Sequence, residues 1–320
     1  MRITLVLGSG GARGYAHIGV IQELEARGHQ IVAISGASMG ALVGGVYAAG
    51  RLGGLLEEVS NKDVRHILRY VDPALGRPGM IGAGRIMDML EGVVGDVLIE
   101  DLPIPYLAVA TDLANRREVW FKRGPLLTAI RASIAIPTVF TPIMHHGRLL
   151  CDGGVLNPLP IEPAALYPSD GIVAVSLFGK EAGFGVTPVH DDDDDDRGPV
   201  WTARLREGTE TLLERTRVRG LIERLGGLIS DPDDDGSAPE NASRPAREKL
   251  PRGLDTMDML TMTLDSMQAA IEANRTANTP PDVLISIPTT AGSVFDFHRA
   301  EEIIAEGRGL AAQAFDQVGL

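Results

Sequence analysis

A serine in a glycine-flanked turn is the first residue of this sequence whose type and setting could do chemistry. In the run GASMG, Gly36 and Gly40 flank Ser38, between a β-rich segment (31–35) and an apolar helical segment (39–49). A G-x-S-x-G run at a strand-to-helix junction is the setting of a nucleophile elbow, where a sharp turn lifts the serine hydroxyl clear of the sheet. The helix behind it adds partial positive charge where an oxyanion would form. We therefore predict that Ser38 is a nucleophile.

A glycine-rich loop earlier in the chain could hold a negative charge. The run GSGGARG, from Gly8 to Gly14, stands between a β-rich segment (3–7) and a helical pattern (15–27). Glycines allow positive φ and let several N–H groups converge on one point, and a helix directly behind them favours an anion. The same layout opens a dinucleotide-binding fold, but that fold needs an acidic residue at the end of the second strand. Here the second strand (31–35) runs into the serine turn instead.

The base that such a serine needs is best supplied by Asp152. An aspartate before two glycines, Gly153 and Gly154, is typical of a turn when taken alone. We assign it as the base because the serine elbow elsewhere in the chain requires one. An ordinary aspartate has a pKa of about 3.9 and is a poor base for an alcohol, but partial desolvation would raise that pKa. We expect a short contact between Ser38 and Asp152 in an apolar cleft.

A conventional catalytic triad is the alternative within the same chemistry. The chain order Ser38, Asp152, His298 matches the Ser–acid–His order of α/β-hydrolases. Against it, the elbow follows only two predicted strands, and His298 lies at the start of a predicted terminal helix. We expect His17 to pack a helix, and His145-His146 to lie in a loop beside the site.

The three motifs, in this order, resemble the patatin-like phospholipase family, and most closely its bacterial branch related to the neuropathy target esterase catalytic domain. Four further stretches resemble that branch, at 14–20, 131–137, 281–283 and 296–299. The resemblance covers about residues 1–180 and 255–318. One departure is Ser9, where the family's glycine motif commonly begins with Gly; a serine keeps the N–H but resists positive φ. Residues 131–142 are expected to pack beside the site without a chemical role.

The resemblance implies a three-layer α/β/α fold with a mainly parallel central sheet. It implies a serine acyl-ester hydrolase that releases fatty acid from lipid esters through a dyad of Ser38 and Asp152, without histidine, and through an acyl-serine intermediate. The implied oxyanion donors are the backbone N–H groups of Gly10, Gly11, Ala12 and Arg13.

Away from the motifs, short β-rich runs alternate with helical patterns, which favours a largely parallel sheet covered by helices. Further strands are predicted at 106–111, 118–121, 172–178 and 283–287, and a helix near 298–315. Another predicted helix carries Met257, Met259, Met262 and Met267, for which a core face is favoured over an acyl groove.

The formal net charge of −13 is concentrated in two segments. Residues 181–196 hold seven acidic side chains and residues 231–240 hold five, and neither segment has a Lys or Arg. The rest of the chain is close to neutral, so nothing suggests a nucleic-acid partner. We expect one domain over 1–320 with a low-complexity insertion at about 181–253. Its Arg-rich helical stretch (200–229) fits a solvated helix or a peripheral contact with an anionic membrane.

The sole cysteine and the hydropathy indicate a cytoplasmic protein. Cys151 excludes an intrachain disulfide, fits a reducing compartment and is interpreted as a small buried side chain. No apolar run approaches the roughly 20 residues that span a bilayer, and the strand-like segment (3–7) leaves no room for a signal peptide. No metal or cofactor is expected. The partner is expected to be a lipid ester, and the oligomeric state is left open. The alternative to an enzyme is a catalytically weak or inactive protein with a hydrolase fold, which would act as a lipid-binding or regulatory module.

Overall fold

The computed structural model describes residues 1–60, 68–70, 79, 81–179 and 256–320 of the chain. Apart from Thr256, these residues fall within one compact unit made of Met1–Phe184 and Met257–Leu320. The predicted insertion at about 181–253, with its helical stretch at 200–229, lies outside the described residues.

Eight strands form one sheet at the centre of this unit. They are β1 (Arg2–Leu7), β2 (Gln30–Ala37), β3 (Tyr106–Asp112), β4 (Arg117–Phe121), β5 (Ile143–His145), β6 (Arg148–Asp152), β7 (Gly171–Gly179) and β8 (Val283–Pro288). Five neighbours, in the order β3-β2-β1-β7-β8, run parallel. The antiparallel strands β4 and β6 pair with β3, and β5 pairs with β6. The prediction of an α/β fold with a mainly parallel sheet is confirmed.

The antiparallel hairpin β5–β6 was not predicted from the sequence. β5 has only three residues, which is too short for an alternating pattern to be recognised. The two-residue turn between the strands, His146 and Gly147, has positive φ at both positions. Such a turn matches the twist of an antiparallel pair, and the hairpin brings the end of β6 back to the sheet.

Helices flank the sheet on both faces. They are α1 (Ala16–Ala26), α2 (Met39–Ala48), α3 (Leu52–Val59), α4 (Gly84–Val94), α5 (Leu126–Ser133), α6 (Ile161–Ala164), α7 (Thr256–Asn278) and α8 (Ala300–Val318). Successive residues of β1 point to opposite faces. Leu5 and Leu7 pack in the larger core with α1, α2 and α8. Val6 packs in a smaller core with Ala164 of α6.

α7 covers the second face of the sheet through polar side chains. Arg275 donates to Glu118 of β4 at 2.5 Å and to Glu162 of α6 at 2.9 Å. The Glu272 carboxyl, which is buried, is hydrogen-bonded to Ser176 of β7. Between residues 259 and 278, the charged residues of α7 therefore lie on the side that faces the protein.

The prediction that the methionines of this helix face the core is wrong. Met259, Met262 and Met267 are all exposed, and the side chain of Met257 lies outside the described residues. A helical repeat of apolar residues indicates that they share a face, but it does not say which face is buried. In α7 the ion pairs of Asp265 and Arg275 decide the orientation.

Candidate active site

Ser38 and Asp152 meet because two strands end head to head beside β3. The last residue of β2, Ala37, pairs with Val109, and Asp152 at the end of β6 pairs with Ala110. β4 occupies the other edge of β3 over the same residues, so β2 and β6 share one edge and approach it from opposite directions. Residues that are 114 positions apart in the chain are thereby brought into contact.

Ser38 has the backbone conformation of a sharp elbow. Its φ is 54° and its ψ is −123°, a region that L-residues rarely adopt and that costs about 1–3 kcal/mol. It is the N-cap of α2, and its carbonyl oxygen accepts from the N–H groups of Ala41 and Leu42. A Cβ on Gly40 would overlap the carbonyl oxygen of Leu7, so the turn fits only with glycine there. The elbow predicted from the GASMG run is present.

The Ser38 hydroxyl donates directly to Asp152. Ser38 Oγ lies 2.5 Å from Asp152 Oδ2, and the other carboxylate oxygen, Oδ1, accepts from the Gly154 N–H at 2.7 Å. Ser38 is 3% exposed and Asp152 is 2% exposed. Burial raises the pKa of Asp152 from its ordinary 3.8 to about 7, against the opposing effect of the hydrogen bonds from Ser38 and Gly154. Near pH 7 this carboxylate is a stronger base than an exposed one.

A segment without a predicted chemical role holds both residues in place. Ser133 Oγ accepts from the Ser38 N–H at 2.8 Å and donates to the Val109 carbonyl at 2.6 Å. The Ala135 carbonyl accepts from the Asp152 N–H at 2.9 Å. The expectation that 131–142 only packs beside the site is therefore incomplete. The available signal was that the stretch 131–137, which contains Ser133, carried part of the family resemblance.

Replacing Ser133 with Ala should lower the free energy of unfolding by about 2–4 kcal/mol. The variant removes the hydroxyl that accepts from the buried Ser38 N–H and donates to the Val109 carbonyl. Urea unfolding of wild type and variant measures the change. Ser266→Ala is the matched control, because Ser266 is exposed and bonds only within its own helix, to the Met262 carbonyl. A Ser133→Ala protein as stable as this control would contradict the role given to Ser133.

The glycine loop presents two free amides. The N–H groups of Gly10 and Gly11 donate to no residue in the described part of the chain, and Gly11 has a φ of 59°. The Ala12 N–H donates to the Val294 carbonyl at 2.9 Å, so this predicted oxyanion donor is occupied in the structure. Ser9 does not have positive φ. A serine at position 9 is therefore compatible with this loop, because the positive φ angles occur at the two glycines that follow.

Arg13 fixes the loop from inside the protein. Its guanidinium is buried, donates through Nε to the Gly10 carbonyl at 3.2 Å, and lies over the Phe178 ring. Its Nη2 pairs with Asp265 Oδ2 of α7 at 3.1 Å. The backbone N–H of Arg13 lies within the 3-10 turn Gly11–Tyr15. The Arg13 side chain therefore positions the glycine loop, and Asp265 of α7 supplies the counter-charge of the guanidinium.

The histidine of the alternative triad lies on the protein surface. His298 is exposed, in the short 3-10 turn Phe297–Arg299. Among the described residues, no histidine is hydrogen-bonded to Ser38 or Asp152. His17 is buried on α1, and its Nε2 bonds the Gly8 carbonyl at 2.9 Å, so it packs against the glycine loop. A pair formed by serine and aspartate alone is what the geometry supplies.

Cys151 has no reactive setting despite its place beside Asp152. It is buried, and burial raises the pKa of its thiol to about 12. The interpretation of Cys151 as a small buried side chain is confirmed. Within the described ranges, no three His, Cys, Asp or Glu side chains lie close enough to share a metal ion. No helix there combines the length and the apolar character that crossing a bilayer requires.

Comparison with known proteins gives one family model and several similar proteins. The family model described as Patatin-like phospholipase matches residues 5–165, which include the glycine loop, Ser38 and Asp152. An uncharacterized NTE family protein of Mycobacterium bovis is 44% identical, over 98% of this chain and 91% of that protein. Mouse patatin-like phospholipase domain-containing protein 6 is 31% identical, over 56% of this chain and 14% of that protein. The solved structure of VipD from Legionella pneumophila matches 98% of this chain and 66% of its own, at 14% identity and a TM-score of 0.41.

Proposed function

This chain belongs to the patatin-like phospholipase family, and we propose that it is a serine acyl-ester hydrolase that releases fatty acids from lipid esters. The observation that carries the proposal is the direct hydrogen bond from Ser38 Oγ to Asp152 Oδ2, at 2.5 Å in a buried site. A hydroxyl that donates to a carboxylate of raised pKa is prepared to lose its proton as it attacks a carbonyl carbon.

During acylation one proton moves from Ser38 to Asp152 and then from Asp152 to the departing alcohol. Ser38 Oγ attacks the ester carbonyl carbon while its proton passes to Asp152 Oδ2, which forms a tetrahedral intermediate. The intermediate collapses by breaking the bond to the alcohol, and the same proton passes from Asp152 to the departing oxygen. The products are a free alcohol and a fatty acyl ester of Ser38.

The glycine loop is the proposed site for the negative charge of the intermediate. The free amides of Gly10 and Gly11 and the N-terminus of α2 supply donors and partial positive charge. Each donor that meets an oxyanion typically contributes about 2.7–4 kcal/mol of transition-state stabilisation. Ala12 could join only after its N–H leaves the Val294 carbonyl, and Arg13 acts through its side chain by holding the Gly10 carbonyl.

Deacylation repeats the steps with water. Asp152, again ionised, accepts a proton from a water molecule that attacks the acyl carbon of Ser38. Collapse of the second intermediate releases the fatty acid and returns the proton to Ser38 Oγ. The steps use only groups of this chain and water.

The proposal is tested by identifying what the protein releases from a total lipid extract. Mass spectrometry of the products should show free fatty acids appearing with wild-type protein and staying at background with Ser38→Ala. Release of phosphorylated head groups without fatty acids would contradict acyl-ester chemistry. Binding of lipids without any product would instead favour the inactive lipid-binding alternative.

Replacing Asp265 with Asn should lower kcat about tenfold on a soluble ester, with little change in KM. The buried Arg13 loses the counter-charge that Asp265 supplies and holds the Gly10 carbonyl less firmly. Asp265→Glu keeps the charge and should recover part of the loss. A merely structural effect would lower the active fraction in both variants alike, so equal losses in Asn and Glu variants would contradict a positioning role.

A further inference from the structure

From residue 259 to its end, α7 (Thr256–Asn278) has its charged residues on the side that faces the protein. The inward contacts are made by Asp265, Gln268, Glu272 and Arg275. A helix on the surface of a soluble protein normally shows the reverse, with its apolar stripe inside and its charges in water. In this helix the charged side chains take part in the packing, together with the half-buried Leu264 and Ile271.

Between residues 259 and 278, the part of α7 whose side chains the structure describes, no exposed position carries a charge. Four large apolar side chains on the outward side, Met259, Leu260, Met262 and Met267, are between 41% and 57% exposed. The other exposed positions from 259 to 278 are Thr, Ser, Ala and Asn. We call the four large side chains and the small residues between them the methionine face.

The neighbouring long helix shows what an ordinary solvent-facing side looks like in this protein. The exposed positions of α8 (Ala300–Val318) include five charged residues. They are Glu301, Glu302, Glu306, Arg308 and Asp316. The absence of charge on the methionine face is therefore a property of α7 and not of the helices in general. An exposed apolar patch of this kind marks an interaction surface.

We propose that the methionine face docks on the surface of a lipid aggregate and inserts its side chains among the acyl chains; the proposal rests on lipid esters being the substrates. A face without charge does not select anionic head groups, so a zwitterionic surface is sufficient. Unbranched, flexible methionine side chains adapt to a disordered hydrocarbon layer. The occupant is a lipid surface, because lipid esters present their acyl chains in such layers.

A second copy of the chain fits this face less well. The 23 residues of α7 make a helix of roughly 35 Å, so a strip about 10 Å wide along its full length, which is longer than the methionine face, offers on the order of 350 Å² at most. A stable interface between proteins takes about 800 Å² from each partner. The strip is too small for a dimer, whereas a lipid layer requires no matching surface.

The position of α7 connects this face with the site. On its inward side, Gln268 accepts from Ser9 Oγ at 3.3 Å and Asp265 pairs with Arg13, both in the glycine loop. Docking through the outward side therefore places the catalytic end of the sheet, rather than its opposite end, next to the lipid.

The test is flotation with phosphatidylcholine vesicles, using full-length protein that carries Ser38→Ala so that binding is separated from turnover. Adding Met262→Glu and Met267→Glu should lower the partition coefficient about tenfold or more, because two charges would enter the hydrocarbon region. Leucine at both positions should keep binding within about twofold of the parent. Met144→Glu is the matched control, since Met144 of β5 is 67% exposed and lies outside the face; it should bind like the parent.

The active enzyme gives a second readout. With Ser38 intact, the two glutamates should lower hydrolysis of phosphatidylcholine vesicles but leave hydrolysis of monomeric p-nitrophenyl butyrate unchanged. Undiminished vesicle binding by the double glutamate variant would overturn the docking proposal. So would binding that requires anionic lipid and disappears in salt, or a wild-type dimer that the glutamates dissociate. A wild-type protein that hydrolyses neither ester but binds vesicles through this face would refute the proposed function and leave the docking surface standing.

Discussion

Replacing Ser38 with Ala should lower kcat/KM for ester hydrolysis by about 10⁵-fold or more, because the acyl-enzyme can no longer form. The hydroxyl is the group of this residue that touches Asp152, so the change removes the nucleophile and the proton that Asp152 accepts. Initial rates on p-nitrophenyl butyrate, with fatty acid release from lipids as the second substrate, measure the effect. Activity within about tenfold of wild type would mean that another residue attacks the ester.

Ser38→Gly separates this loss from damage to the fold. Glycine adopts a φ of 54° without strain, so this variant should be as inactive as Ser38→Ala but more stable than it by about 1 kcal/mol. Thermal unfolding of the two variants gives the comparison. Inactivity together with increased stability is the pattern expected of a strained nucleophile elbow, and two equally stable variants would argue against strain at Ser38.

Replacing Asp152 with Asn should lower kcat/KM by about 10²- to 10⁴-fold, the usual range for a general base. Asparagine has nearly the same shape and can still accept from the Gly154 N–H, but it cannot take the proton of Ser38. Steady-state rates at pH 8, where the wild-type carboxyl is ionised, measure the loss. Substantial activity in a correctly folded Asn variant would show that Asp152 is not the base.

The same substitution should stabilise the protein at pH 8 by about 2–4 kcal/mol. The pKa of Asp152 is raised by burial from 3.8 to about 7, so the folded state holds its proton more tightly than the unfolded state does. The stabilising contribution of the protonated form is complete below pH 4 and is lost as the pH rises through 7. The advantage of the Asn variant over wild type should therefore shrink between pH 8 and pH 4, as followed by urea unfolding at each pH. An advantage that does not change with pH would contradict the raised pKa.

The sequence was sufficient for the parts of the site that depend on local pattern. The glycine run after β1 and the GASMG run after β2 each have a short-range signature, because backbone turns need particular residues at particular positions. The contact between Ser38 and Asp152 was anticipated from chemistry, since a serine nucleophile needs a base. The β6 strand that delivers Asp152 was not, because its pairing with β3 is a long-range property.

The supporting residues could not be identified from sequence for the same reason. Ser133 acts by accepting from the Ser38 N–H across 95 positions of the chain, and Asp265 pairs with Arg13 across 252. The sequence around Ser133 or Asp265 does not indicate which distant residue either one contacts. The orientation of α7 was misjudged because burying its ion pairs against the sheet outweighed the tendency of methionines to be inside.

The most direct measurement of the central claim is the rate at which a fluorophosphonate labels the wild-type protein as a function of pH. We expect one phosphonylated peptide, containing Ser38, and a labelling rate that rises about tenfold per pH unit up to a plateau above a pH near 7, where Asp152 is ionised. Asp152→Asn should label slowly at every pH. A modified residue other than Ser38, or a labelling rate that neither changes across this range nor falls in the Asn variant, would contradict the dyad.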